Sequence, residues 1–271
     1  MSEKIENAKS CVLEKMIFPI ENKTRHLVVR VIIPIAHMVT DNEMDNLNRL
    51  LIGNFLQKIG DIPFLYNEFA SDTSFALLRF PFELLILIEC LFVDKSKIKR
   101  VQEDLSILNL KRCLGLNKIG GCCKHRVDNV YRQFNESLKE KIQLVYKNNQ
   151  FEYNEKFLNN YEILSQKVRK NIQFLKSKKT INSKDFDKFK VMIYQISSDI
   201  IHGDFTAQQP FIFSSKDEHM RNVKYNLNLV ALMLRWAKKS MDEYSLKGEN
   251  YSINDAEYKE AFEGLKKFVL D

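Results

Sequence analysis

The sequence predicts an all-α protein, a multi-helix bundle. Three observations carry that expectation. Gly and Pro are scarce, 8 and 5 in 271 residues, which leaves too few turn formers for an all-β fold. Long stretches rich in Leu, Ile, Lys, Glu and Asn run without breakers. Hydrophobic residues make up 45% of the chain, enough for a core and too many for a disordered polymer. No repeat and no linker-like composition divides the chain. It reads as one helical domain over 1–271, with residues 1–42 as an N-terminal helical extension and residues 113–126 as a flexible loop.

The elements follow in order. Residues 3–18 read as a short amphipathic helix. Residues 24–39, "TRHLVVRVIIPIAHMV", carry strand-forming Val and Ile, but Pro34 in their middle favours helix. Residues 43–60 are helical, with Asp41 or Asn42 as N-cap and Gly60 as stop. "SDTSFALLRFPFELLILIECLF" opens on cap-like Ser71, Asp72 and Ser74, and Pro81 requires either a kink or a late start. A basic helix over 96–112 leads into "CLGLNKIGGCCKHR", which holds three of the eight glycines and reads as the loop. Two polar helices, 126–147 and 152–177, should form a long antiparallel hairpin joined near Asn148–Asn149. "NSKD" caps a helix over 184–202, in which Phe189, Ile193, Ile196 and Ile200 keep core spacing. Residues 205–215 read as an irregular connection, residues 217–245 as a helix holding Trp236, and a last amphipathic helix starts at Asn254.

Composition narrows the function classes. The formal charge is +7, from 42 Lys+Arg against 35 Asp+Glu, which suits an acidic partner such as RNA and equally a solvated basic face. The charged opening "MSEKIENAKSCVLEK" lacks a signal-peptide pattern, and five cysteines, an odd number, fit a reducing cytoplasm. Residues 75–93 are apolar enough to suggest a membrane span, but they contain Arg79, Glu83 and Glu89. Each ionised group near a bilayer centre costs about 2.5–3.5 kcal/mol. A buried core helix is expected and no membrane partner. Cys113, Cys122, Cys123 and His125 have poor zinc spacing, because adjacent cysteines rarely face one tetrahedral ion. No P-loop, dinucleotide fingerprint or zinc-protease motif occurs, so no cofactor and no metal is expected.

Two constellations could carry chemistry. In "YQISSDIIHGD", Tyr194, Ser198 and His202 lie i, i+4, i+8 on a helix, with Asp199 three residues before His202. His202 on the last turn meets the negative end of the helix dipole, which moves an imidazole toward a useful acid–base range. A capping histidine with exposed neighbours is the structural alternative. In "LLRFPFELL", Arg79 and Glu83 lie i, i+4 inside an apolar run, so both are expected to be buried and paired. They form either a structural ion pair or an arginine aimed at an anion by Glu83.

Together, "ALLRFPFELL" and "YQISSDIIHG" resemble the motifs of uncharacterised bacterial helical proteins related to the HEPN superfamily, over residues 40–245. The resemblance implies a HEPN-like bundle, often a dimer. It implies a metal-independent endoribonuclease of bacterial defence or toxin–antitoxin type, with RNA as substrate and an antitoxin or other defence-system protein as partner. HEPN nucleases usually place Arg before the catalytic His on one helix, with four to six residues between them. Here Gln195, Ile196 and Ser197 occupy that distance from His202, so Arg79 must supply the charge. The implied catalytic set is His202, Arg79, Glu83, Tyr194, Ser198 and Asp199. The competing class is a non-catalytic helical module that binds a partner protein or RNA. Both classes predict that the two motifs meet, because polar groups beside apolar faces are best satisfied by each other.

Overall fold

The structure, a computed structural model, describes residues 23–37, 39, 46–67, 71–121, 123–164, 167–178, 190–201, 216–245 and 255–270. The chain is all-α, and the described residues include a single two-stranded hairpin. The elements are α1 (23–37), α2 (Asn46–Asp61), a 3-10 turn (Ile62–Asn67), α3 (Ser71–Leu77), α4 (Arg79–Val93), α5 (Lys97–Lys118), α6 (Lys124–Arg132) and α7 (Glu136–Ile142). Then come β1 (Val145–Lys147), β2 (Gln150–Glu152), α8 (Glu155–Asn160), α9 (Val168–Ser177), a π-wound turn (Lys190–Gln195), α10 (Ile196–Ile201), α11 (Lys216–Ser245) and α12 (Asp255–Leu270). The contacts form two compact units: residues 1–93 with 173–271, and residues 94–172.

The first unit is a helical core. α2 buries Leu47, Leu51, Phe55 and Ile59 at i, i+4 spacing and packs on α4. α2 runs one residue past Gly60, where an added Cβ would make an ordinary 3.4 Å contact with Ile32 Cδ1 of α1. α1 runs through Pro34 and fully buries Val28, Val31 and Ile35. Arg30 pairs with Glu260 at 3.0 Å on α12. The part of the expected N-terminal extension that is described is thus built into the core. Residues 1–22, including the helix expected at 3–18, and the caps expected at Asp41 or Asn42 lie outside the described residues.

Pro81 explains the break before α4. A proline ring clashes with the carbonyl four residues earlier and lacks an N–H, so the chain turns at Leu78 and α4 begins at Arg79. Pro81 then sits in the first turn, where no intrahelical donor is required. α4 buries Phe82, Leu85, Ile86 and Leu91 in the core, as its apolar run predicts. Among the described residues, no helix is long and apolar enough to cross a membrane.

The second unit overturns two expectations. Its core joins α5, α6, α7 and α8 through Ile107, Leu110, Leu114, Val127, Ile142 and Leu158. The expected flexible loop over 113–126 is mostly helix: α5 carries Cys113 and Gly115 and continues to Lys118. Gly120, with φ of 74°, then closes the helix. Its N–H donates to Asn117 O at 3.0 Å, and that of Gly121 to Leu116 O at 2.8 Å. This pairing satisfies the last carbonyls of the helix and needs a left-handed residue, which glycine supplies. Only residues 119–123 separate α5 from α6.

The expected long helical hairpin is also corrected. Gln143 enters the left-handed region (φ 53°) and ends α7 after seven residues. Asn148 and Asn149 do form the connection, but with φ of 49° and 62°. Two successive left-handed residues make the tight turn of a β-hairpin, and asparagine tolerates that geometry. The strands pair Val145 with Glu152, Tyr146 with Phe151 and Lys147 with Gln150. Asn154 then caps α8, accepting from Phe157 N at 2.9 Å.

Candidate functional site

The two motifs singled out in the sequence meet in the first unit. Arg79 is the first residue of α4 and Glu83 lies one turn further on. Arg79 Nε donates to Glu83 Oε1 at 2.8 Å. Its guanidinium lies over the Tyr194 ring, 4.7 Å from the centroid, and a terminal nitrogen donates to Tyr194 Oη at 3.5 Å. The residues in contact are 115 positions apart. A cation at a helix N-terminus meets the positive end of the dipole, so Glu83 offsets an unfavourable placement. The hydrogen bond to Glu83 raises the Arg79 pKa, against partial burial.

Arg79 and Glu83 are not buried as expected. Their side chains are 24% and 29% exposed, because the break at Leu78 leaves them on the rim of α4's first turn rather than in its middle. Tyr194 is half-buried. The pair therefore borders solvent, and an anion could approach the guanidinium from that side.

The second helix departs from a uniform α-helix. Lys190–Gln195 is π-wound, and α geometry runs from Ile196 to Ile201. Ile193 and Ile200 are buried, as their spacing predicts. Asp199 is half-exposed on α10, which also carries Ser198. His202, the Ser198 side chain, the cap at 182–185 and the connection at 205–215 lie outside the described residues.

Sequence reasoning missed Ser197, one residue from the Ser198 it selected. Ser197 is fully buried and its Oγ donates to Phe75 O at 2.7 Å, fastening α10 to α3 just before the Arg79 turn. The doublet Ser197–Ser198 marked the place, and packing shows that Ser197 points inward. Three more buried links fix the scaffold. Tyr66 Oη donates to Asn226 Oδ1 at 2.8 Å, and Asn226 Nδ2 donates to Ser74 Oγ at 3.0 Å. Ser240 Oγ donates to Glu89, a buried carboxylate on α4 whose pKa is raised by desolvation.

In the second unit, Asp104 is fully buried beneath Arg100 (3.2 Å) and Tyr161 Oη (3.2 Å). Burial, then the Asp104 charge, push the Tyr161 hydroxyl up to about 12. An open cleft of 480 Å³ beside them is lined by Asn154, Lys156, Phe157, Asn160, Tyr161 and Glu162. Lys167 and Lys170 hold the exposed Glu162 carboxyl down to about 2 by hydrogen bonding. Cys113 is buried on α5, Cys123 precedes α6, and His125 Nδ1 faces Asn129 at 3.3 Å. Among the described residues, no three His, Cys, Asp or Glu side chains converge. Cys122 lies outside them.

Set against protein-family models, curated proteins and solved structures, the chain matches none. The fold and site define a class, an all-α protein with a composite Arg–Glu–Tyr cluster at a helix N-terminus.

Proposed function

We propose that the protein is a HEPN-like, metal-independent endoribonuclease whose site is built from Arg79, Glu83 and Tyr194, with His202, Ser198 and Asp199 from the same helical segment as Tyr194. The supporting observation is the contact of Arg79 with Tyr194. RNA cleavage of this kind begins with attack of the 2′-oxygen on the adjacent phosphorus. The O2′–P bond forms and the P–O5′ bond breaks, leaving a 2′,3′-cyclic phosphate and a 5′-hydroxyl. His202 takes the 2′ proton, Tyr194 or Ser198 returns a proton to the departing O5′, and Arg79 faces the phosphate's negative charge. Glu83 orients the guanidinium by its 2.8 Å hydrogen bond. The same reading places the protein in the cytoplasm, in a defence or toxin–antitoxin system, held in check by a protein partner and paired as a homodimer.

The test is purified protein with mixed cellular RNA in EDTA. Wild type should cut and leave cyclic phosphate ends. His202→Ala should lose about 10²–10⁴-fold in rate with an unchanged circular dichroism spectrum. Arg79→Ala should lose activity as well. Cleavage by His202→Ala at the wild-type rate overturns the site. If the isolated protein does not cut, expression in cells must arrest growth with wild type and not with His202→Ala; absence of both effects overturns the nuclease reading.

One observation favours a second reading, a non-catalytic interaction module. Glu83 lies so close to Arg79 that it neutralises the charge an RNA phosphate would need. On that reading Arg79→Lys and His202→Ala leave RNA unchanged and weaken binding to a partner protein or RNA instead.

A further inference from the structure

The two units differ in charge. Residues 94–172 hold 17 Lys+Arg against 9 Asp+Glu, a net +8. The rest of the chain holds 25 against 26, a net −1. An even spread of the chain's +7 would leave about +2 in the second unit. Among the described residues, Asp104, Glu155, Glu136, Glu152 and Glu162 pair with Arg100, Lys118, Lys139, Lys147 and, for Glu162, both Lys167 and Lys170. Lys99, Lys111, Arg112, Lys124, Arg126 and Arg132, on the packed pair α5 and α6, have no carboxylate partner among the described residues. All but the half-exposed Lys111 are exposed.

An aromatic pair adjoins Lys124. Lys124 Nζ lies 4.2 Å from the centroid of the Tyr146 ring. Tyr146 is half-exposed on β1, and its cross-strand partner Phe151 meets it edge-on at 4.8 Å. Phe151 packs against the core of this unit, so the Tyr146 ring has a fixed support. Exposed large apolar side chains of the described residues here are Ile119, Val145 and Leu164, on separate segments. They form no stripe of the kind that enters a lipid interface.

We infer that the second unit is an RNA-holding module, which binds single-stranded RNA with phosphates on the α5 and α6 cations and a base stacked on Tyr146. The inference deepens the ribonuclease reading and takes its substrate class from it. Unneutralised cations bind phosphate through counterion release, and a supported aromatic ring stacks on any unpaired base. A duplex keeps its base faces covered, so the ring selects single strands.

The experiment measures anisotropy of a fluorescein-labelled 20-nucleotide RNA of mixed sequence, fully 2′-O-methylated, with the full chain in EDTA. Without a 2′-hydroxyl the probe cannot be cut, so binding is read apart from cleavage. Wild type should bind, with affinity falling linearly on a log–log salt plot. Replacing Arg112, Arg126 and Arg132 by Gln should weaken binding at least tenfold and reduce the salt slope by about 2, since each single-strand phosphate contact contributes about 0.7. Tyr146→Leu should weaken it about tenfold with an unchanged slope, the loss of one stacked base. Replacing Lys58, Lys259 and Lys267 in the first unit by Gln should change neither.

No binding by wild type, or equal loss in the first-unit variant, overturns the inference. Equal capture of duplex RNA, of poly-glutamate or of phosphatidylserine vesicles overturns the assignment to single strands. Intact binding with no cleavage of ordinary RNA removes the nuclease reading alone. Cleavage that survives the triple Arg→Gln change at full rate removes the module's role alone.

Discussion

The two units of the chain hold themselves together differently. In the first, polar groups are satisfied between elements far apart in sequence: Tyr66 with Asn226, Ser197 with Phe75, Glu89 with Ser240. Arg79 and Tyr194 follow the same pattern at the rim. In the second, long-range links such as Tyr161 to the buried Asp104 stand beside local devices. Gly120 closes α5, Asn135 and Asn154 cap α7 and α8, and Asn148–Asn149 turn the hairpin. The first unit is nearly neutral and the second strongly basic.

Truncation in each core should break the comparison most strongly. Phe82→Ala should cost about 3–5 kcal/mol and Ile107→Ala about 2–5 kcal/mol, because both side chains are fully buried. Hydrogen exchange should localise the damage. Phe82→Ala should open α2, α4 and α11, and Ile107→Ala should open α5 to α7. If either change speeds exchange equally throughout, the two units are one cooperative structure.

The polar networks sharpen the contrast at smaller amplitude. Asn226→Ala leaves the buried Tyr66 hydroxyl without its acceptor, at about 1–3 kcal/mol. The local counterpart, Asn149→Gly, should be neutral or stabilise by a few tenths of a kcal/mol, because glycine accepts positive φ without strain. Urea midpoints for the two variants decide the point; equal destabilisation would show that the hairpin turn depends on the asparagine side chain.

The smallest expected effect concerns Glu89. Burial is the leading cause of its raised pKa, partly opposed by hydrogen bonds from Ser240 and Trp236; Glu243 raises it further and Lys239 lowers it. A carboxyl whose folded pKa is raised binds its proton more tightly in the folded state. Stability is therefore lost as pH rises above the ordinary glutamate range, about 4.3. Glu89→Gln is fixed in the neutral form and can still accept from Ser240. Its urea midpoint should improve relative to wild type between pH 4 and pH 7, and a difference that stays constant across that range would remove the burial argument.

Much of the first unit was legible as helices. The apolar runs gave α2, α4, α11 and α12 nearly to their ends, and Pro81 signalled a kink or a late start where the chain breaks at Leu78. The loss came where a local signal had two meanings. Asn148–Asn149 marks a turn whether helices or strands flank it, and the polar flanks hid the short strands. The glycines at 115–121 looked like one loop, yet Gly115 is helical and Gly120 is a cap. For the site, the sequence selected Arg79, Glu83 and Tyr194, which touch, but selected Ser198 rather than the buried Ser197. Ser197 stands four residues after the buried Ile193 and three before the buried Ile200, on the face read as apolar core.

The sequence by itself determined that this chain is helical, where its most apolar helix lies, and that two polar motifs interrupt apolar faces. Those properties follow from composition, periodicity and proline stereochemistry, which act over one or two turns. Only the tertiary structure decided that Arg79 lies over Tyr194 at the solvent rim, that Ser197 is the anchor, and that the excess positive charge belongs to a separate compact unit. Each depends on residues far apart in the chain coming together. Local energetics sets no such distance; it is fixed when the helices bury their apolar faces against one another.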